Sequence, residues 1–217
     1  MKKSILTALC LAIPAMAGEP VIMAVTPIQA PVIAPAPACS MALEAGVVYT
    51  DAMSDLAKGI DGIDTWGFDV TALYKLDDNL ALNLRFNWAT GDDKYTTVYQ
   101  RGEFSTNTLT LTTWSIMPGL RYTAPLTDGV SCFVGANAGV AKSTFEYEFY
   151  DSLDQYSASA EDKDWGFAYS VEAGLKVDVC DNVYIYGALQ FSGNTAKPAK
   201  IDSQYGLGVR AGLGWEF

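Results

Sequence analysis

Tyr205-Gly206-Leu207-Gly208-Val209-Arg210-Ala211-Gly212-Leu213-Gly214-Trp215-Glu216-Phe217 is the stretch whose reading decides the fold. Every odd position from Tyr205 to Phe217 is apolar, and every even position is Gly, Arg or Glu. A period of two is the signature of a β-strand, whose successive side chains leave on opposite faces. The apolar face here is unbroken, while the other is small or charged. Residues 164–179 repeat the pattern. Trp165, Phe167, Tyr169, Val171, Ala173, Leu175, Val177 and Val179 oppose Asp164, Gly166, Ala168, Ser170, Glu172, Gly174, Lys176 and Asp178. Strands of water-soluble proteins average about 5–6 residues. A tilted strand that crosses a bilayer needs about 9–11.

Six further segments follow the same template: 42–52, 65–76, 80–90, 108–125, 130–141 and 183–193. The parity of the apolar residues slips between Leu111 and Trp114, and again between Val140 and Phe145. A β-bulge or an exit from the membrane is expected at each slip. The connections alternate in kind. Asp77-Asp78-Asn79, Thr127-Asp128-Gly129 and Cys180-Asp181-Asn182 are tight turns of residues that tolerate turn dihedrals. Residues 53–64, 91–107, 146–163 and 194–203 read as longer polar loops. The expected fold is all-β: an eight-stranded, antiparallel, up-and-down transmembrane β-barrel, with short turns on one side and long loops on the other. A soluble ligand-binding barrel would place its apolar face inside. The aromatic residues argue for lipid instead. Trp66, Trp88, Trp114 and Trp165 fall toward the loop ends of their strands, while Tyr74, Tyr122 and Trp215 fall toward the turn ends. Two such belts mark two water–lipid interfaces.

Residues 41–217 thus resemble the small bacterial outer-membrane barrels, among them the OmpA membrane domain and the OmpX/Ail group. The resemblance rests on the architecture and on the terminal Tyr205-x-Leu207-x-Val209-x-Ala211-x-Leu213-x-Trp215-x-Phe217. It implies that Leu213, Trp215 and Phe217 present an insertion signal to the barrel-assembly machinery. It also implies an outer-membrane location, with both barrel termini in the periplasm. The barrel enzymes of this class use a catalytic His, and this sequence contains none. The expectation is that the chain is not an enzyme and takes no cofactor and no metal.

Ahead of the barrel, Lys2-Lys3, the apolar run Ile5–Ile13 and Ala15-Met16-Ala17 read as a signal peptide over residues 1–17. Its apolar core is too short for a spanning helix, which needs about 20 residues. Without it, the 14 basic residues fall to 12 against 25 acidic ones, and the net charge deepens from −11 to −13. Such a surface repels phosphate backbones, which excludes nucleic acid as a partner. Residues 18–40 carry five prolines among Ala, Val and Ile. Proline at that density forbids a membrane helix and indicates an extended periplasmic tether.

The inward parity set holds the charges Asp69, Arg85, Arg121, Glu172 and Arg210 near mid-strand, with Glu44, Lys75, Lys176, Asp178 and Glu216 nearer the turn end. Eight strands enclose a lumen just wide enough for side chains. Charges there must pair or pay a large desolvation cost. An interlocking network that plugs the barrel is therefore expected, and a narrow channel through it is the alternative. With the lumen closed, the loops 91–107 and 146–163 become the surface for a ligand, as in an adhesin-like scaffold. Cys132 and Cys180, at the rim between the fifth and sixth strands, are candidates for a disulfide, which needs Cα atoms about 4.4–6.8 Å apart. Strict alternation opposes this pairing, because it sends their side chains to opposite faces.

Overall fold

The computed structural model describes residues 40–53, 62–99, 103–152, 155–200 and 204–217. The expected signal peptide, residues 1–17, and the expected tether, residues 18–40, lie outside them but for Ser40. Eight strands are present: β1 (Met41–Ala52), β2 (Thr65–Lys75), β3 (Leu80–Val98), β4 (Phe104–Thr127), β5 (Val130–Asp151), β6 (Tyr156–Cys180), β7 (Val183–Asn194) and β8 (Gln204–Glu216). Each pairs antiparallel with the next, and β8 pairs with β1 from Ala42↔Glu216 to Ala52↔Gly206, closing the ring. Main-chain bonds in both directions between Met41 and Phe217 tie the two ends of the barrel chain together.

The alternation explains which way each side chain points. In β8, Leu207, Val209, Leu213 and Trp215 face out and are half or more exposed, whereas Arg210 is 1% exposed. The apolar band so formed runs around the outside, and the core of the molecule is the polar lumen. That arrangement is the inverse of a water-soluble barrel.

One end is closed by the three tight turns. In the first, the Asp77 carboxylate accepts the N–H groups of Asn79 and Leu80 at 2.8 and 2.7 Å. These two bonds, the Asn79 one foremost, hold its carboxyl below the usual Asp value. Gly129 has φ 74°, and a Cβ there would meet nothing within 4 Å. Its dihedral, not crowding, asks for glycine.

At the other end the structure departs from the sequence reading. β3 to β6 run 19, 24, 22 and 25 residues, against 11 to 13 for the remaining four strands. Residues 91–107 and 146–163 are therefore mostly ladder, not loop. The parity slips are not bulges either. β4 and β5 keep one register from Ser105↔Asp151 to Pro125↔Ser131, and shifts occur only beside the turns, at Pro125/Thr127 and at Asp178/Cys180. What changes at the slips is polarity. Leu109, Leu111, Phe145 and Tyr147 cluster inward, while Glu146 and Glu148 stand outward and exposed. The strands have left the apolar band, so water lies outside and the apolar side chains turn in.

Cys132 and Cys180 are free thiols, which corrects the expected disulfide. Cys132 sits opposite Leu175, so Cys180 lies roughly 15–17 Å further along β6. The register shift at Cys180 does not bring it back. The Cys132 thiol instead donates to the Ala124 carbonyl at 3.6 Å.

Candidate functional site

Inward positions of six strands converge at mid-height of the lumen. β1 supplies Glu44, β2 Asp69 and Thr71, β3 Arg85, β4 Arg121, β6 Glu172 and β8 Arg210; all are at most 4% exposed. Three guanidinium groups meet three carboxylates, so the layer is neutral by count. Arg121 grips Glu44 with both Nη atoms, at 2.5 and 2.9 Å, and reaches Glu172 at 3.1 Å. Arg85 Nη2 lies 2.6 Å from Glu172 Oε1. Arg210 bonds Asp69 through Nε at 2.7 Å, Glu44 through Nη2 at 3.1 Å and Glu172 through Nη1 at 3.2 Å. Each carboxylate thus answers at least one arginine, and Glu44 and Glu172 answer more.

Neutral groups complete the layer. Thr71 accepts from Arg210 at 2.8 Å, and Gln190 accepts from Arg85 at 3.0 Å. Tyr184 donates to Glu44 at 2.9 Å. Arg121 and Arg210 stack on Phe133 and Tyr186, each 4.5 Å from the ring centroid. The glycines of β8 make this packing fit. A Cβ on Gly214 would fall 2.1 Å from the Tyr184 ring.

The sequence-predicted lumen residues are thereby located. Asp69, Arg85, Arg121, Glu172 and Arg210 share the layer. Lys176 does not; it lies nearer the turn end, 2.5 Å from Glu216 and 3.3 Å from Asp178, with Lys75 2.8 Å from Glu216. Glu44 belongs at the centre of the layer, contrary to its placement toward the rim. Nothing in the alternation could reveal this, because height in a barrel depends on the stagger between neighbouring strands. Tyr184 joins the two clusters, since its ring lies 4.2 Å below the Lys176 amine.

A cavity of about 260 Å³, lined by Lys75, Phe133, Lys176 and Glu216, lies on the turn side of the layer. One of about 100 Å³, lined by Asn87, Ser115 and Gln190, lies on the hairpin side. Among the described residues, no three side chains converge as a metal would require. The layer can hold the wall together and fill it, and each of its carboxylates is engaged by an arginine.

On the outside, Trp88, Trp114, Lys142 and Trp165 stand directly opposite one another across β3 to β6. Trp114 meets Trp165 edge-on at 5.0 Å, and the Lys142 amine lies 5.7 Å from the Trp165 ring. Trp66 lies on the same side of the apolar band, and Trp215 on the turn side; both are largely exposed.

The family model for the outer membrane protein beta-barrel domain matches residues 5–217. No curated protein matches the sequence. Among solved structures, Neisserial surface protein A is 14% identical with a TM-score of 0.58, covering 82% of this chain and 97% of that one. Ail of Yersinia pestis is 17% identical with a TM-score of 0.49, covering 82% and 99%. OprG of Pseudomonas aeruginosa is 14% identical with a TM-score of 0.47, covering 83% and 96%. The likeness to the Neisserial protein shows a shared barrel fold.

Proposed function

The chain belongs to the outer membrane β-barrel family, and from that premise we propose that it is a plugged barrel serving as a surface-interaction scaffold. The observation that carries the proposal is the neutral, buried layer of Glu44, Asp69, Glu172, Arg85, Arg121 and Arg210. Removing one partner of such a buried pair typically costs about 3–5 kcal/mol, so the layer resists opening. The working surface is then the part of β3 to β6 that rises past the Trp88–Trp165 row. It carries exposed aromatics such as Tyr150 and Tyr156. Its outer strands also offer ladder edges to which an extended segment of a partner could add. The scaffold performs no reaction in this reading.

In this assignment the tight turns and both barrel termini face the periplasm. Residues 1–17 direct export and residues 18–40 form a tether. Leu213, Trp215 and Phe217 engage the assembly machinery, and their outward, exposed placement on the last strand supports that role. The test is to replace 147–160 by a two-residue turn and measure adhesion of cells displaying the protein. Loss of adhesion with a folded barrel is expected, and unchanged adhesion would refute the role of the hairpin. A channel is the second reading, favoured by the cavities on either side of the layer.

A further inference from the structure

The charged layer is not the only obstruction in the lumen. Toward the hairpin end, Leu109 and Leu111 of β4 project inward beside Phe145 and Tyr147 of β5, and Ile63, just before β2, joins them. Ile63, Leu109 and Leu111 are 5, 8 and 2% exposed. Ile63 reaches across to β3, where a Cβ on Gly91 would fall 2.8 Å from its Cγ2. Its position is fixed by the next residue, whose carboxylate (Asp64) accepts from Ala52 N–H at 2.9 Å and from the Tyr49 hydroxyl at 3.0 Å.

The connection after β7 folds in from the other side. Ala196 and Pro198 are buried, and Ala196 packs on Gly166, whose Cβ would overlap its main chain. Two β6 carboxylates latch this segment: Asp164 accepts Lys197 N–H at 2.7 Å, and Asp162 accepts Ala199 N–H. The cavity of about 100 Å³ runs from this apolar closure, where Ile63 and Leu111 line it, to Asn87, Ser115 and Gln190 on the side of the charged layer.

We propose that the lumen is sealed twice in series, by the charged layer and by an apolar collar of Ile63, Leu109 and Leu111 nearer the hairpins. The two seals act by different physics. The charged layer fills the lumen and holds its counter-charges fixed, whereas the collar offers no polar partner to water or a hydrated ion, which is how hydrophobic constrictions block by dewetting. The collar keeps outside solutes from reaching the arginines. This inference rests on the plugged-barrel reading and adds a second barrier to it.

The test is conductance of the folded protein in a planar bilayer under KCl for four forms. These are the wild type, Ile63→Ser/Leu111→Ser, Glu44→Ala/Arg121→Ala, and the four changes combined. Folding of each is checked by heat-modifiable mobility. Silence from the first three and steady openings from the fourth are expected. If the Glu44→Ala/Arg121→Ala form conducts as well as the combined one, the collar is no barrier and the inference falls, while the plug stands. If the Ile63→Ser/Leu111→Ser form conducts, the charged layer is no seal, and both readings fall. A silent combined form would place the barrier elsewhere and overturn the series seal.

A second measurement avoids polar residues in the collar. Ser115→Cys, in a chain with its native cysteines changed to Ser, places a thiol in the cavity between the seals. A membrane-impermeant cationic thiol reagent on the hairpin side should leave it unlabelled over the time that a cysteine at exposed Glu148 (Glu148→Cys) is fully labelled. Labelling of both at the same rate would overturn the collar.

Discussion

Arg210 shows how one residue serves both stability and function. It touches all three carboxylates of the layer, stacks on Tyr186, and is 1% exposed. Arg210→Met should destabilise the barrel by about 3–5 kcal/mol, because two of the three acids remain served by other arginines while Asp69 loses its ion-pair partner. Urea unfolding in detergent micelles, followed by tryptophan fluorescence, measures this; a change under about 1 kcal/mol would mean the layer relaxes easily. Gly214→Val is a second case, at which the added side chain must displace the Tyr184 ring from Glu44. A loss of about 1–3 kcal/mol is expected from such overpacking. At the turn end, Asp77 has a depressed folded-state pKa, so its contribution is present above its unfolded pKa and is lost as pH falls through the folded value. Asp77→Ala should therefore narrow the stability gap between neutral and acidic pH. An unchanged pH profile would show that the two turn hydrogen bonds do not matter to folding.

Among the elements, the strands were legible where lipid-facing and lumen-facing residues alternate without interruption, as in β6 and β8. Lipid requires every outward side chain there to be apolar, so the pattern has no gaps. The same rule misleads past the apolar band. In β4 the inward residues change from Ser115, Met117 and Arg121 to Leu109 and Leu111, and a reader tracking apolar parity sees a slip where the register is continuous. The lengths of the β3–β4 and β5–β6 hairpins were hidden for that reason. The cysteines were misjudged because the start of the fifth strand and the end of the sixth were taken to be level at the rim, whereas the ladder sets Cys132 opposite Leu175. Both thiols should react with maleimide once the protein is denatured in the absence of reductant. A protected pair would restore the disulfide. Shortening the β5–β6 hairpin to remove 147–160 should leave the barrel folded, because the eight-strand ring lies below it. Loss of heat-modifiable mobility in that variant would show that the hairpin is needed for closure.

For the whole molecule, the alternation told which residues face the lumen but not how they meet there. Glu44 sits against Arg121 across the barrel, and Lys176 sits apart with Glu216, because the stagger of the ring sets the heights. The set of lumen charges could be read from the sequence, and their partners could not. The result is a cylinder whose outer face suits lipid and whose interior is filled by ion pairs, with the long hairpins left to meet the surroundings. The most direct test of this account is the conductance of the folded wild-type protein in a planar lipid bilayer at neutral pH. The account predicts no steady current with the barrel inserted and folded. Sustained, ion-selective openings from the wild type would contradict it and make the arginine layer the filter of a channel.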